Sequence, residues 1–184
     1  MKLILASASP RRRELLAKIA EFHVEPSRFE EKAAGLSAEQ TAAYFAEGKA
    51  KEVLSRFPDS LVLGADTVVS LNGTVLGKPE SREHAAEMLR SLGGRTHEVI
   101  TGVCLTGRGF CKTQTVKTKV EFFPLGEELV ARYVESGLPM DKAGAYGIQD
   151  GYPLVKAYFG SYTNVVGLPV DEVRELLGAV ERSV

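Results

Sequence analysis

An apolar run of strand length, residues 2–6, stops at Ser7-Ala8-Ser9-Pro10, and no other feature of the chain constrains its fold as much. Ser9 can cap a helix and Pro10 suits its first turn, so a strand feeds a helix directly. A strand joined to a helix in this way has to bury the helix against a sheet, which directs the chain to an α/β architecture. Leu15, Leu16 and Ile19 give that helix its apolar stripe.

The alternation continues without a fixed unit. Residues 22–24 suit a short strand, and residues 38–54 a longer helix entered through Ser37, with Glu39 and Gln40 in its first turn. Residues 60–65 read as a buried strand that ends at Asp66 and Thr67, while residues 68–71 and 74–76 flank Asn72-Gly73, a strong hairpin signal. Residues 80–92 are amphipathic and closed by Gly93-Gly94. Two long antiparallel strands, 99–105 and 113–123, are expected around a tip containing Gly107 and Gly109. Helices follow at 129–134 and at 170–180, the last opened by Pro169. With no internal repeat and no Pro/Gly/Ser-rich linker, residues 1–184 are expected to form one domain, a mixed twisted sheet bent into two lobes with a central cleft.

Composition narrows the function. The chain has 23 Lys+Arg against 24 Asp+Glu, a formal net charge of -1, and its longest basic block is the three arginines at 11–13. That balance argues against a nucleic-acid polymer as partner and favours a small anion. No stretch reaches the roughly 18 apolar residues of a membrane span, and the apolar start carries its positive charges after the run, unlike a signal peptide. The cytoplasm is the expected address, where Cys104 and Cys111, on either side of the hairpin tip, are expected to stay reduced. His23, His84 and His97 show no paired spacing, and neither cysteine belongs to a CxxC, which disfavours zinc.

Four segments carry candidate chemistry. One helical turn before Leu15 and Leu16 stand Arg11 and Arg12, beside a helix start whose free N–H groups already favour an anion. The alternative is a solvated basic patch neutralised by Glu14 or Glu21. Asp66 is a candidate base or metal ligand at the mouth of an α/β cleft. With a pKa near about 3.9 an ordinary Asp is a weak base at neutral pH, so this role needs burial or a metal-activated water; a turn-opening Asp is the alternative. GTVLGKP fails as a P-loop, since only three residues separate Gly73 from Gly77 and Pro79 replaces the Ser/Thr, which leaves Lys78 on a stiff turn, aimed at a phosphate or at Asp66. In DKAGAYGIQD, residues 141–150, Gly144, Ala145 and Gly147 alternate with larger side chains, and the Gln149 amide can read a base edge, with tight loop packing as the alternative. Glu30, Glu31 and Asp66 could bind a hard cation through oxygen, with a solvated EEK run as the alternative for residues 30–32.

In this order, SASPRRRELL, GADTVV, GKP, GGRTHEVITGV, DKAGAYGIQ and GSYTNVVGLP resemble the Maf family of nucleotide pyrophosphatases across essentially the whole chain. The resemblance implies a two-lobed α/β fold related to the inosine-triphosphate pyrophosphatases, with the active site in the cleft. It implies hydrolysis of a nucleoside triphosphate to the monophosphate and pyrophosphate with a divalent cation, Mg²⁺ or Mn²⁺, and a homodimer. It assigns Ser7, Arg11 and Arg12 to the phosphates, Asp66 to the base, and Lys78 to supporting either. Glu31 would bind metal together with Asp66, and Lys49 matches a basic position facing the cleft. Arg11, Thr67 and Gln149 resemble the branch acting on dTTP and UTP, whereas the branch acting on methylated GTP typically has Gln where Thr67 stands. Asp150 departs from the pattern, replacing a usual Gly and placing a carboxylate near the presumed base pocket. The family is also linked by name to septum formation, so a nucleotide-binding regulator of cell division that does not hydrolyse is the competing expectation. A kinase is disfavoured by the failed P-loop.

Overall fold

The computed structural model describes residues 1–32 and 34–182. In chain order the elements are β1 (Leu3–Leu5), α1 (Pro10–Leu16), β2 (His23–Val24), α2 (Ala38–Arg56), β3 (Leu61–Leu71), β4 (Thr74–Leu76), α3 (Arg82–Leu92), β5 (Thr96–Gly107) and β6 (Phe110–Phe122). Then come α4 (Glu127–Glu135), two 3-10 turns (Leu138–Asp141 and Ala143–Ala145), β7 (Val155–Phe159), α5 (Tyr162–Val166) and α6 (Val170–Glu181). The expected start signals operate: the Ser9 hydroxyl accepts from the Arg12 amide and Pro10 begins α1, while Ser37 and Gln40 form a reciprocal capping box on α2.

Seven strands form one mixed sheet in the order β2-β1-β3-β5-β6-β7, with β4 also paired to β3. β1 runs parallel to β2 and β3, and the β3-β5, β5-β6 and β6-β7 pairs are antiparallel. β5 covers one edge of β3 from Val62 to Ser70. The other edge is shared: β1 pairs with Leu61, Val62 and Leu63, and β4 with Val69, Ser70 and Leu71. Between these two pairings no strand lies against β3 on that side among the described residues, and the sheet carries a notch there.

The strand at 60–65 does not end at Asp66, as the sequence suggests. β3 continues for 11 residues through Asp66 and Thr67 to the Asn72-Gly73 turn. Unbroken pairing with β5, in which Asp66 faces Gly102 and Thr67 faces Thr101, outweighs the turn preference of Asp. α1 is shorter than its apolar stripe, stopping at Leu16, yet Ile19 beyond its end still packs on the same cluster.

Apolar side chains gather toward opposite ends of the long strands. One cluster joins Leu5, Leu16, Leu63, Val103 and Leu105 to Leu168 and Val173, and a larger one joins Val69, Leu89, Leu92, Phe122, Tyr133 and Tyr146. α2 crosses the other sheet face, where Ala46, Ala50 and Val53 pack with Ile4, Val62 and Cys104. Its approach depends on two glycines. A Cβ on Gly64 would fall 2.2 Å from the Ala46 carbonyl oxygen, and one on Gly102 2.2 Å from that of Ala42. The helix backbone therefore lies almost on the sheet, directly over the notch region. Cys104 and Cys111 are free thiols with their sulfurs 3.5 Å apart. No helix among the described residues is long and apolar enough to cross a membrane.

Candidate active site

A cavity of about 540 Å³ opens at the notch, within the range of about 300–1,000 Å³ typical of small-molecule sites. Strand alternation divides its floor. Asp66 shares the face of Val62, Gly64 and Val68, toward α2, and Thr67 takes the opposite face, toward α1 and α5. Because α2 lies so close, Lys49 reaches Asp66: its Nζ is 2.7 Å from Asp66 Oδ1 and 2.7 Å from Glu31 Oε1. Asp66 is 7% exposed.

On the opposite face Arg12 is held at three points. Its Nε donates to the Gly167 carbonyl at 2.8 Å, Nη1 to Ser7 Oγ at 3.3 Å, and Nη2 to Thr67 Oγ1 at 3.1 Å. Thr67 is fixed in turn by Thr101 Oγ1 at 2.9 Å, which donates to the Asn164 carbonyl at 3.1 Å. Arg11 Nη1 donates to Asp141 Oδ2 at 2.9 Å. Both guanidinium groups line the cavity, and their partners, Ser7 apart, lie across the fold rather than at Glu14 or Glu21.

The carboxylates differ electrostatically. Burial pushes Asp66 above its ordinary value, and the charges of Lys49 and Arg12 only partly pull it back. For Glu31 burial also works upward, but Lys49, with help from Lys78 and Arg12, outweighs it and holds the group below its usual value. Burial lowers Arg12, with the Asp66 charge acting the other way.

Lys78 follows Gly77 on the cavity rim and is exposed, and its charge is felt at Glu31. Of the two targets open to it from sequence, Asp66 is engaged by Lys49 instead. Gln149 is exposed on the far wall, which residues 141–149 build together with Val75 and Gly77. That wall also packs tightly: the Gly144 amide donates to the Gly77 carbonyl at 3.0 Å, and a Cβ on Gly144 would fall 2.9 Å from a Val69 methyl. Asp150 is outside the cavity lining. Its carboxylate, 7% exposed, accepts from the Tyr133 hydroxyl at 2.6 Å and pairs with Lys142 at 3.4 Å, so it braces the wall from behind. Lys142 is a cavity residue with no sequence signal of its own: beside Asp141 it reads as solvated surface, yet its side chain is 8% exposed, paired with Asp141 at 3.0 Å. The acidic neighbours that bury it become visible only in the fold.

Among the described residues no three His, Cys, Asp or Glu side chains cluster so as to hold a metal by themselves. Glu31 and Asp66 nevertheless converge on one cation, the Lys49 ammonium. Two carboxylates completed by substrate phosphates match how Mg²⁺ is commonly bound, so these residues fit a hard divalent cation.

A family model described as "Maf-like protein" matches residues 2–180. A dTTP/UTP pyrophosphatase of Thermococcus gammatolerans is 48% identical over 176 residues, covering 95% of this chain and 94% of that protein. One of Bacillus velezensis is 48% identical over 179 residues, covering 96% and 95%. One of Koribacter versatilis is 46% identical over 180 residues, covering 96% and 93%. With the six motifs in register and a family match over nearly its whole length, the chain belongs to the Maf family.

Proposed function

We propose that the chain hydrolyses the α-β phosphoanhydride of nucleoside triphosphates, dTTP and UTP foremost, to the monophosphate and pyrophosphate. One observation carries this reading: a single cavity gathers Arg11, Arg12, Lys49 and Lys78 around the buried carboxylate of Asp66. Attack on phosphorus spreads negative charge over the phosphate oxygens, and cations already fixed in place oppose that charge without reorganising during the reaction. Arg12 has such fixity, with three hydrogen bonds to protein groups. Asp66 positions the attacking water and takes its proton.

Glu31 and Asp66 would hold a divalent cation, Mg²⁺ or Mn²⁺, which when bound offsets charge on the phosphates. Ser7 and Arg11 complete the phosphate end, and Lys78 reaches it from the rim. Thr67 and the Gln149 amide serve recognition, the amide offering both a donor and acceptors to a pyrimidine edge. The names of the relatives support the preference for dTTP and UTP. The working form is taken as a cytoplasmic homodimer, in line with the family resemblance.

The test is to incubate the purified chain with dTTP or UTP and Mg²⁺ and to separate the products. Monophosphate and pyrophosphate in equal amounts are expected. Release of orthophosphate from the γ position overturns the bond assignment, and tight nucleotide binding without turnover turns the reading to a regulator.

A further inference from the structure

We infer that Gly48, Phe29 and Glu52 form a clamp that fastens the segment 25–32 to α2 and thereby sets Glu31 on Lys49. The inference rests on the reading that Glu31 serves the cavity. The three residues act through position, without touching the substrate.

The segment 25–32 is neither helix nor strand, so it needs side-chain anchors to hold a fixed course. α2 supplies them along one row at i, i+4 spacing: Tyr44, Gly48, Glu52 and Arg56. Arg56 Nη2 donates to the Pro26 carbonyl at 3.0 Å. One oxygen of Glu52 accepts from both the Ser27 hydroxyl and the Arg28 amide, each at 2.9 Å. The Phe29 ring then lies over Gly48, edge-on to Tyr44 at 5.7 Å and to Phe45 at 6.4 Å. Glu31 follows two residues later and meets Lys49, the residue after Gly48.

Gly48 is the tightest point. A Cβ there would fall 2.4 Å from two Phe29 ring atoms. Tyr44 and Phe45 flank the ring and limit where it can go, so displacing it loosens the hold of Phe29 on α2. Alanine inside a helix is otherwise better than glycine, so glycine at this position has no local advantage for α2 itself. The clamp matters because the Glu31 side chain is 47% exposed. A half-exposed ion pair on an irregular segment barely offsets the entropy of ordering it, and anchors elsewhere must hold the carboxylate near its partner. Pro26 and Ser27 also line the cavity, so the clamped segment is part of its wall.

The experiment combines Gly48→Ala, Phe29→Ala and Glu31→Gln, and the double variants of Gly48→Ala with each of the other two, in the full chain. Hydrogen exchange and steady-state kinetics with dTTP and Mg²⁺ are measured on each. Gly48→Ala is expected to speed exchange across 25–32 by about tenfold or more while the β3 and β5 amides keep their protection. It is expected to lower kcat/KM by about tenfold and to raise the Mg²⁺ concentration needed for half-maximal rate. Once Phe29 is alanine, or Glu31 glutamine, adding Gly48→Ala should cost less than about twofold, because the coupled partner is already gone. Unchanged exchange in Gly48→Ala, or a full penalty that persists without the Phe29 ring, overturns the clamp. Faster exchange with unaltered kcat/KM overturns its role at the site and leaves the hydrolase reading standing. If the wild type cleaves no triphosphate, that reading fails, and the exchange data alone decide whether the clamp exists.

Discussion

The two walls of the cavity are built differently. On one side Asp66, Arg12 and Lys49 stand on β3, α1 and α2, each element packed into an apolar cluster, and each side chain has a protein partner within 3.3 Å. The other side is a stretch of 3-10 turns in which Gly144 and Ala145 both take positive φ, and Gln149, the amide proposed for recognition, is exposed. Ties to the rest of the fold hold this second wall, among them the Tyr146 hydroxyl at 2.7 Å from His97 Nε2, the Gly147 amide donating to the Tyr133 hydroxyl at 2.9 Å, and the Gly144 amide bonded to Gly77. The contrast teaches that Asp66, Arg12 and Lys49, which the proposed reaction places at the phosphates, sit on regular structure, where packing limits their movement, whereas Glu31, on the irregular segment 25–32, depends on side-chain anchors. Of the two residues proposed to serve recognition, Thr67 is fixed within β3, while Gln149 sits on a loop, where a residue can change without disturbing the sheet.

The comparison can be broken most sharply at Asp66. Asp66→Asn should lower kcat by about 10² to 10⁴ while nucleotide Kd, measured by titration, moves far less. In the wild type the acid limb of kcat/KM should lie above the 3.8 of an ordinary Asp, because the carboxylate must be ionised to take a proton and burial raises its pKa. Wild-type turnover in the Asn variant would remove Asp66 as the base. Next in size is Gly102→Ala, which drives a methyl against the Ala42 carbonyl and lifts α2 from the sheet. Overpacking of this kind should cost about 1–3 kcal/mol in denaturant unfolding and lower kcat as Lys49 leaves Asp66.

The loop wall offers two smaller tests. Burial lowers His97 to about 4, below its ordinary 6.5. Its contribution to stability is therefore complete above pH 6.5 and is lost as pH falls toward 4, since the unfolded chain takes up the proton first. Between pH 7 and 5 this amounts to about 2 kcal/mol, and His97→Gln should flatten that part of the stability profile. An equally steep profile in the variant would place the acid sensitivity elsewhere. Gln149→Ala should reduce the preference for dTTP over a purine triphosphate by about five- to tenfold in kcat/KM, the size of one hydrogen bond, with a smaller change in kcat than Asp66→Asn causes. A kcat loss as large as that of Asp66→Asn would erase the division of labour between the walls.

Much of this was legible in the chain itself. The Ser9-Pro10 cap, the Ser37-Gln40 capping box and the Asn72-Gly73 turn are local chemistry, complete within a few residues, and the structure forms all three. Arg11, Arg12 and Asp66 stood out because charge beside an apolar edge is conspicuous in one dimension. The course of β3 through Asp66 was not legible, because nine register pairs with residues 28 to 44 positions later, from Ser70 with Glu98 to Val62 with Thr106, decide it. Nor was the partner of Asp66: Lys49 reaches it only because Gly64 and Gly102 admit α2, three segments that are separate in the chain. Lys142 and Asp150 likewise find each other only after α4 has brought Tyr133 behind the loop.

The sequence by itself determined where helices and turns begin and which side chains carry charge, since capping and turn chemistry act over a few bonds. Tertiary structure alone decided which charges meet. Pairing two of them at 2.7 Å depends on how closely a helix and a sheet can approach, and that distance is set by atoms remote from one another in the chain.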